Sequence, residues 1–486
     1  MEKIKVEGCH HGNIVCSVSI LFYTPYFHAY GLPLMHKYDK ALILGCGRSG
    51  RAAEALLRSE GADVLVLDEA ECDFSGFELQ VSSFKPSVAV ISPGFALDHP
   101  WVKGLTARGI ALLSELELGW SRRHCPVIAV TGTNGKSTVV KWLADALTQA
   151  GQRAVPCGNY GLPLSAAVML PEGPDWLVAE VSSFQLETVQ EFCPDIGVLL
   201  NVLPNHLDRH GDMETYRALK LRLFENMTDA GIAIVPLQLF QTLEPDCVGA
   251  RRFAAQGRHL FQGLEKSEKI VPGIGKSLRT FGVEEGADVR FVDGHVGDVD
   301  LSGTYFDNEV LGAAAAAGVA VGKACGLSVE ALEQSARNFE PLPHRMQPVA
   351  EVGGVRFVDD SKATNLAAMC AALRMSRGRV HLIAGGRAKE KDFSFAKDLL
   401  AQRVFRLYLL GEASAEMQSA WKDDVECIPC RTLEKAVDAA RDAAEPGDTV
   451  LLSPACTSFD QFGSFADRGD AFVREIGRLK NKDAEA

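Results

Sequence analysis

The stretch Thr131-Gly132-Thr133-Asn134-Gly135-Lys136-Ser137-Thr138 restricts this chain more than any other. The apolar run Val127-Ile128-Ala129-Val130 leads into it and reads as a buried strand, and Ser137 to about Gln149 reads as a helix. Strand, glycine-rich turn, lysine with Ser/Thr, then helix is the layout of a phosphate-binding loop. Its glycines let backbone N–H groups wrap an anionic phosphate, and the helix N-terminus adds a favourable dipole. Lys136 can reach the outer phosphates, and Ser137 can offer a hydroxyl to Mg2+. The spacing is tighter than Gly-x4-Gly-Lys, with only Thr133 and Asn134 between the glycines.

A chain of 486 residues has room for roughly three domains of about 150 residues each. Its formal net charge of −13 excludes sequence-independent nucleic-acid binding, which needs a basic face. An acidic protein that handles phosphates must gather positive groups and metal locally. The 13 cysteines are scattered, and the close pair Cys427-Ile428-Pro429-Cys430 has the spacing of a redox-active Cys-x-x-Cys but no second pair or histidine ligands to support a role. Scattered thiols fit a reducing cytosol, so a cytoplasmic location is expected. No apolar run approaches the ~18 residues that cross a membrane. The stretch Ile14 to Phe22 is apolar but short. Residues 1–34 read either as a signal peptide or as an appended start ahead of Met35, and residues 1–37 as an extension of unknown role.

Three α/β units are expected, at residues 38–120, 121–340 and 341–486. In the first, Ala41–Leu44 reads as a strand. The turn Gly45-Cys46-Gly47-Arg48-Ser49-Gly50, a helix to about Ser59 and a strand Val64–Leu67 ending at Asp68 follow. This Gly-x-Gly-x-x-Gly turn suits a dinucleotide or nucleotide diphosphate, with Asp68 near a ribose or base, although a Rossmann-like unit without NAD reads the same way. A further strand, Val88–Ile91, closes on Ser92-Pro93-Gly94. In the second unit, Trp176–Ala179 is a strand ending in Glu180, where a carboxylate beside a phosphate loop is well placed to hold Mg2+. Ile196–Asn201 is the next strand, with His206 just past its end. Tyr216–Asn226 is helix-like, the segment from Gln238 to Asp300 irregular with a weak strand near Arg290-Phe291-Val292, and a helix carries Ala313–Ala317 to about Ala324.

Pro341-Leu342-Pro343-His344-Arg345 suits a linker into the third unit. Its strands are expected at Val355–Val358, Val380–Ala384, Arg406–Leu410 and Thr449–Leu452. Polar clusters follow three of them: Asp360 to Asn365, Gly385 to Lys389, and Ser453 to Ser458. All three lie at carboxyl ends of parallel strands and should converge on one crevice. An ATP-driven ligase joining a carboxylate to an amine fits this set. A simple NTPase or kinase and a non-catalytic nucleotide sensor are the alternatives.

Across residues 38–475 the motifs resemble the Mur ligases of peptidoglycan synthesis. The stretch Glu180-Val181-Ser182-Ser183-Phe184-Gln185-Leu186 is similar to the D-glutamate-adding branch, where sister ligases carry His in place of Phe184. Asp360-Ser361-Lys362-Ala363-Thr364-Asn365 and Ser453 to Phe462 also look like that family. The resemblance implies three domains: a Rossmann-like N-terminal domain, a central P-loop-type ATPase with a mainly parallel sheet, and a Rossmann-like C-terminal domain. It implies UDP-N-acetylmuramoyl-L-alanine, D-glutamate and ATP as substrates, an acyl-phosphate intermediate, two Mg2+ ions and a monomer.

It also implies residue roles. Gly132, Thr133, Asn134, Gly135, Lys136, Ser137, Thr138, Arg345 and Asp360 would bind ATP. Ser137 and Glu180 would hold one Mg2+ and His206 a second, aided by a carbamylated Lys220, and Lys136, His206 and Lys220 would be catalytic. Arg48, Ser49, Asp68, Ser92, Pro93, Gly94 and Asn159 would contact the UDP-sugar. Lys362, Thr364, Lys389, Ser458 and Phe465 would bind D-glutamate. The chain departs from the family pattern at Tyr305, Phe306 and Glu309, where a His-Asn pair and a later Asn are usual, at Asn205, where an acid is usual, and at Arg387-Ala388. A sister ligase with another amino acid remains the nearest alternative enzyme.

Overall fold

The computed structural model describes residues 38–228, 230–242 and 278–485. The reading of residues 1–37, and the part of the Gln238–Asp300 reading that falls on residues 243–277, lie outside them; from Leu278 to Asp300 that stretch, expected to be irregular, carries four short strands.

Three sheets succeed one another along the chain. The first holds β1 (Lys40–Leu44), β2 (Asp63–Leu67), β3 (Val88–Ile91) and β4 (Ala111–Ser114), all parallel, in the order β2-β1-β3-β4. Its central strands, Ala41–Leu44 and Val88–Ile91, are buried along their length. Continuous apolar runs of this kind belong to strands covered by helices on both faces. Here one face packs Ala53, Leu56 and Leu57, and the other Phe77, Trp101 and Leu105.

The second sheet is built from β5 (Val127–Thr131), β6 (Ala154–Gly158), β7 (Trp176–Glu180), β8 (Ile196–Leu199), β9 (Ile232–Pro236), β10 (Leu278–Gly282), β11 (Val289–Val292), β12 (His295–Val296) and β13 (Val299–Asp300). Their order is β13-β12-β11-β10-β9-β8-β5-β7-β6, parallel except for the closing β11-β12-β13 meander. One face carries the helices Lys136–Gln149 and Glu309–Ala324. Gly318 lets them meet, since a Cβ there would sit 2.5 Å from the Trp142 ring. The opposite face packs Leu116 and Trp120, which come from the first unit's last helix, with Phe192 and Phe224.

The third sheet comprises β14 (Gln347–Val352), β15 (Val355–Asp359), β16 (Val380–Gly385), β17 (Val404–Leu410), β18 (Glu426–Pro429) and β19 (Thr449–Leu452). The order is β14-β15-β19-β16-β17-β18, with only β14 antiparallel. The strands that carry the three polar clusters, β15, β19 and β16, are therefore neighbours, and their loops leave one end of the sheet side by side. In the second sheet β5 lies between β7 and β8, so the chain departs in opposite directions on its two sides. A crevice opens at the carboxyl end of such a strand.

Candidate active site

The loop after β5 is held in one conformation by its own sequence and its neighbours. Gly132 and Gly135 have φ of 149° and 85°. A Cβ on Gly132 would lie 3.0 Å from Cβ of Leu200. Asn201, at the end of β8, accepts the N–H groups of Thr133 and Asn134 on Oδ1 at 3.0 and 2.9 Å. Lys136 folds back and donates to the carbonyls of Gly132 and Thr133, both at 2.9 Å. Lys220, only 1 % exposed, donates to the same Gly132 carbonyl at 2.8 Å. Its Nζ lies 4.5 Å from the Tyr216 ring centre, and no carboxylate pairs with it among the described residues.

Glu180, at the end of β7, is the hub of the charged cluster. One carboxylate oxygen accepts from the Ser137 hydroxyl and the other from Asn159 Nδ2 at 2.6 Å. Arg345, from the third unit, donates to Ser137 Oγ at 2.8 Å. Burial pushes the Glu180 carboxyl up, but Lys136, Ser137, Asn159 and Arg345 outweigh it and leave the group below the ordinary range. Burial holds Lys136 below the usual lysine range, with Glu180 opposing and Arg345 adding to the shift. The Lys220 ammonium is held well below that range, first by burial and then by the Lys136 charge.

A cavity of about 420 Å3 joins the second and third units. From the second, Thr133, Asn134, Gly135, Lys136, Ser137, Asn159, Glu180 and His206 line it. From the third come Arg345, Lys362, Thr364 and Phe465. Lys362 Nζ sits 3.9 Å from the Phe465 ring centre, and burial with the nearby Arg345 charge pushes its pKa down to about 8. Other expected residues stand off the wall. Gly132 and Thr138 belong to the loop and its helix, and Lys220 lies against the loop's backbone. Asp360 is 8 % exposed and accepts from Ser453 Oγ at 2.8 Å and the Met346 N–H at 3.2 Å, with burial pushing it up to about 7. Lys389 and Ser458 do not line the cavity either, although Ser458 Oγ is buried without a hydrogen-bond partner.

Of the residues expected to hold the UDP-sugar, Asn159 lines the cavity, and the others stay with the first sheet. Asp68 accepts the N–H groups of Cys46 at 2.8 Å and Ala70 at 3.1 Å, which hold its carboxyl below the ordinary range. Ser49 lies in the first turn of the helix Arg48–Ser59 that follows β1, and Gly94 in the loop after β3. Ser92 is beside Gly45, with its buried Oγ unpartnered. Arg48 reaches across to the Gly161 carbonyl at 2.7 Å, close to Asn159 in sequence.

Two further residues shape the site, Arg468 without a signature in the sequence and Asn205, which the sequence marks only as a departure from the family pattern. Arg468 is wholly buried on the helix Phe465–Glu485. It donates to the carbonyls of Ser361, Cys456, Thr457 and Gly385, in or beside all three polar clusters. An arginine on a charged C-terminal helix reads as solvated, so only the fold reveals it. Asn205 lines the cavity, 8 % exposed, with Oδ1 unpartnered among the described residues. The departures at Tyr305 and Phe306 are packing residues here. Phe306 is fully buried against Trp142 and Phe339, Tyr305 Oη approaches the Arg345 carbonyl at 3.5 Å, and Glu309 opens the helix capped by Asn308.

Among the described residues no three His, Cys, Asp or Glu side chains form a metal-holding group. The donor set nevertheless suits Mg2+. The Glu180 carboxylate and Ser137 hydroxyl are hard oxygens in contact, and the unpartnered Asn205 Oδ1 lies beside His206 on the same cavity.

Residues 130–257 match the Mur ligase middle domain, and residues 344–456 the Mur ligase, glutamate ligase domain. The chain belongs to the Mur ligase family. It is 35% identical over 454 residues to a protein of Acidobacterium capsulatum named UDP-N-acetylmuramoylalanine--D-glutamate ligase, covering 90% of this chain and 95% of that one. A protein of the same name from Koribacter versatilis is 34% identical over 465 residues, covering 91% and 98%. Among solved structures, MurF ligase from Thermotoga maritima in complex with ADP superposes with a TM-score of 0.55 at 17% identity, covering 84% of this chain and 92% of that one. UDP-N-acetylmuramate-alanine ligase MurC from the same organism gives 0.55 at 14% identity, covering 91% and 100%. These likenesses show the fold.

Proposed function

We propose that this protein is an ATP-dependent amide ligase that adds D-glutamate to UDP-N-acetylmuramoyl-L-alanine. The observation that carries the reading is the shared cavity, where Lys136, Ser137 and Glu180 face Lys362, Thr364 and Phe465. In this reading residues 38–120 hold the UDP-sugar, residues 121–340 ATP, and residues 341–486 the amino acid. The protein acts as a monomer in the cytoplasm.

The substrate carboxylate attacks the γ-phosphorus of ATP, and ADP leaves. The amine of D-glutamate then attacks the acyl carbon, the tetrahedral intermediate expels phosphate, and the nitrogen gives up a proton. Lys136, released from its loop carbonyls, spreads the charge of the transferring phosphoryl group. Glu180, Ser137, His206 and a carbamylated Lys220 would hold Mg2+, which when bound neutralises phosphate and carboxylate charge. Lys220 suits that modification because burial favours its neutral amine, the form that combines with CO2 and releases a proton. Lys362 and Thr364 on the cavity wall, joined in this reading by Lys389 and Ser458, supply the cationic and hydroxyl groups that two carboxylates require.

The test is phosphate release from ATP by purified protein with UDP-N-acetylmuramoyl-L-alanine and each candidate amino acid in turn. Release with D-glutamate alone is expected. Release with a different amino acid would make it a sister ligase, and none with any would favour a nucleotide sensor.

A further inference from the structure

The loop Ser92–Phe95 of the first unit and the His206 turn of the second meet at one guanidinium. We propose that Arg209 is a positioning residue that couples the two, so that a nucleotide sugar on the first unit tightens metal–nucleotide binding in the cavity. The proposal rests on the functional reading above, and no chemical step of that reading uses Arg209.

Every arm of the guanidinium is engaged. Nη1 donates to the Pro93 carbonyl at 3.0 Å and Nη2 to the Phe95 carbonyl at 3.1 Å. Nε and Nη2 fork onto Glu187 at 3.1 and 2.6 Å. The guanidinium carbon stands 4.4 Å from the Phe184 ring centre. That ring meets His206 edge-on at 4.8 Å and His210 at 5.2 Å. The backbone closes the circuit, for Arg209 N–H donates to the His206 carbonyl at 3.1 Å. His206 itself has φ of 56°, a left-handed conformation that costs a non-glycine residue energy and survives only where its surroundings enforce it.

The Arg209 side chain is 19% exposed and its Glu187 partner 9%, so the fork is held away from water and is geometrically demanding. A phosphate or uridine that settles on the Ser92–Phe95 loop fixes the Pro93 and Phe95 carbonyls and so the guanidinium that they accept from. A fixed guanidinium in turn holds the Phe184 ring against which His206 rests. Contiguity alone does not demonstrate coupling, so the test must measure a coupling factor.

Isothermal titration of the full chain with Mg2+·ADP, with and without saturating UDP-N-acetylmuramoyl-L-alanine, supplies it. The nucleotide sugar is expected to raise the affinity about fivefold or more in the wild type, and Arg209→Gln to bring that factor within about twofold of unity while each ligand still binds alone. Arg209→Lys keeps the charge but cannot fork onto Glu187, and should retain only part of the factor. Should Arg209→Gln fail to fold, Phe184→Leu is expected to lose the coupling in the same way. An unchanged factor in the variants overturns the proposal, as does a wild type that binds both ligands independently. A wild type that does not bind the nucleotide sugar overturns the functional reading itself.

Discussion

At the scale of single residues, two lysines have lost the ordinary behaviour of a surface ammonium. Lys362 is positive below about 8 and neutral above it. Attraction for a doubly acidic amino acid is therefore fully present below that pH and fades as pH rises through it. The ratio of kcat/KM for D-glutamate in wild type to that in Lys362→Arg should fall across this range, because arginine keeps its charge; pH–rate profiles of the two proteins check it. Lys220 is buried against the Gly132 carbonyl with its pKa lowered. Stripping dissolved CO2 from the assay should lower activity reversibly, with bicarbonate restoring it, and Lys220→Ala should be insensitive to either. Lys136, Ser137 and Glu180 were legible in the sequence because a phosphate loop and a strand-end carboxylate follow from spacing alone. Asn205 and Phe306 stood out in the sequence only as departures from a pattern; their roles did not, since an unpartnered oxygen and a filled core position exist only once the neighbours are in place.

At the scale of elements, most central strands announced themselves and most margins did not. Val88-Ala89-Val90-Ile91 is β3 as read, because a continuous apolar run has no alternative but burial. Eight strands escaped notice, β9 and β10 inside the second sheet among them; three of the eight, β6, β14 and β18, contain Pro156, Pro348 and Pro429. Each of these three is an edge strand, where proline is tolerated because the missing N–H need not enter a ladder. Tyr216–Asn226 read as one helix, whereas the α-helix runs Met213–Leu221 and tightens into the 3-10 turn Arg222–Phe224. The convergence of the three polar clusters followed from strand-end logic, but the residue that ties them did not. Replacing Arg468 by Gln leaves several buried carbonyls without their donor, and should cost about 2–4 kcal/mol of stability. Chemical denaturation gives the loss, and amide exchange should show it concentrated at residues 360–365, 385–389 and 453–458.

At the scale of the whole molecule, the cavity has walls from two units, so access and closure both depend on how the third unit sits. Arg345 crosses the gap to Ser137 at 2.8 Å. It stands between His344 and Met346, both non-glycine residues in the left-handed region, with φ of 63° and 44°. Such conformations cost about 1–3 kcal/mol each and persist only where contacts enforce them. His344 Nδ1 is 2.7 Å from Asp359, and the Met346 N–H donates to Asp360. The strained joint is thus fastened to the third unit, and rotation near Pro341–Arg345 carries that unit as a body. An acyl phosphate exposed to water hydrolyses, so a ligase must close before it forms. Solution scattering should show a more compact particle when a non-hydrolysable ATP analogue and UDP-N-acetylmuramoyl-L-alanine are both added; an unchanged profile would count against rotation. Arg345→Ala removes the strut that meets the phosphate loop. If closure protects the intermediate, that variant should release more phosphate than it forms amide, whereas a residue serving only to bind ATP would lower both in proportion.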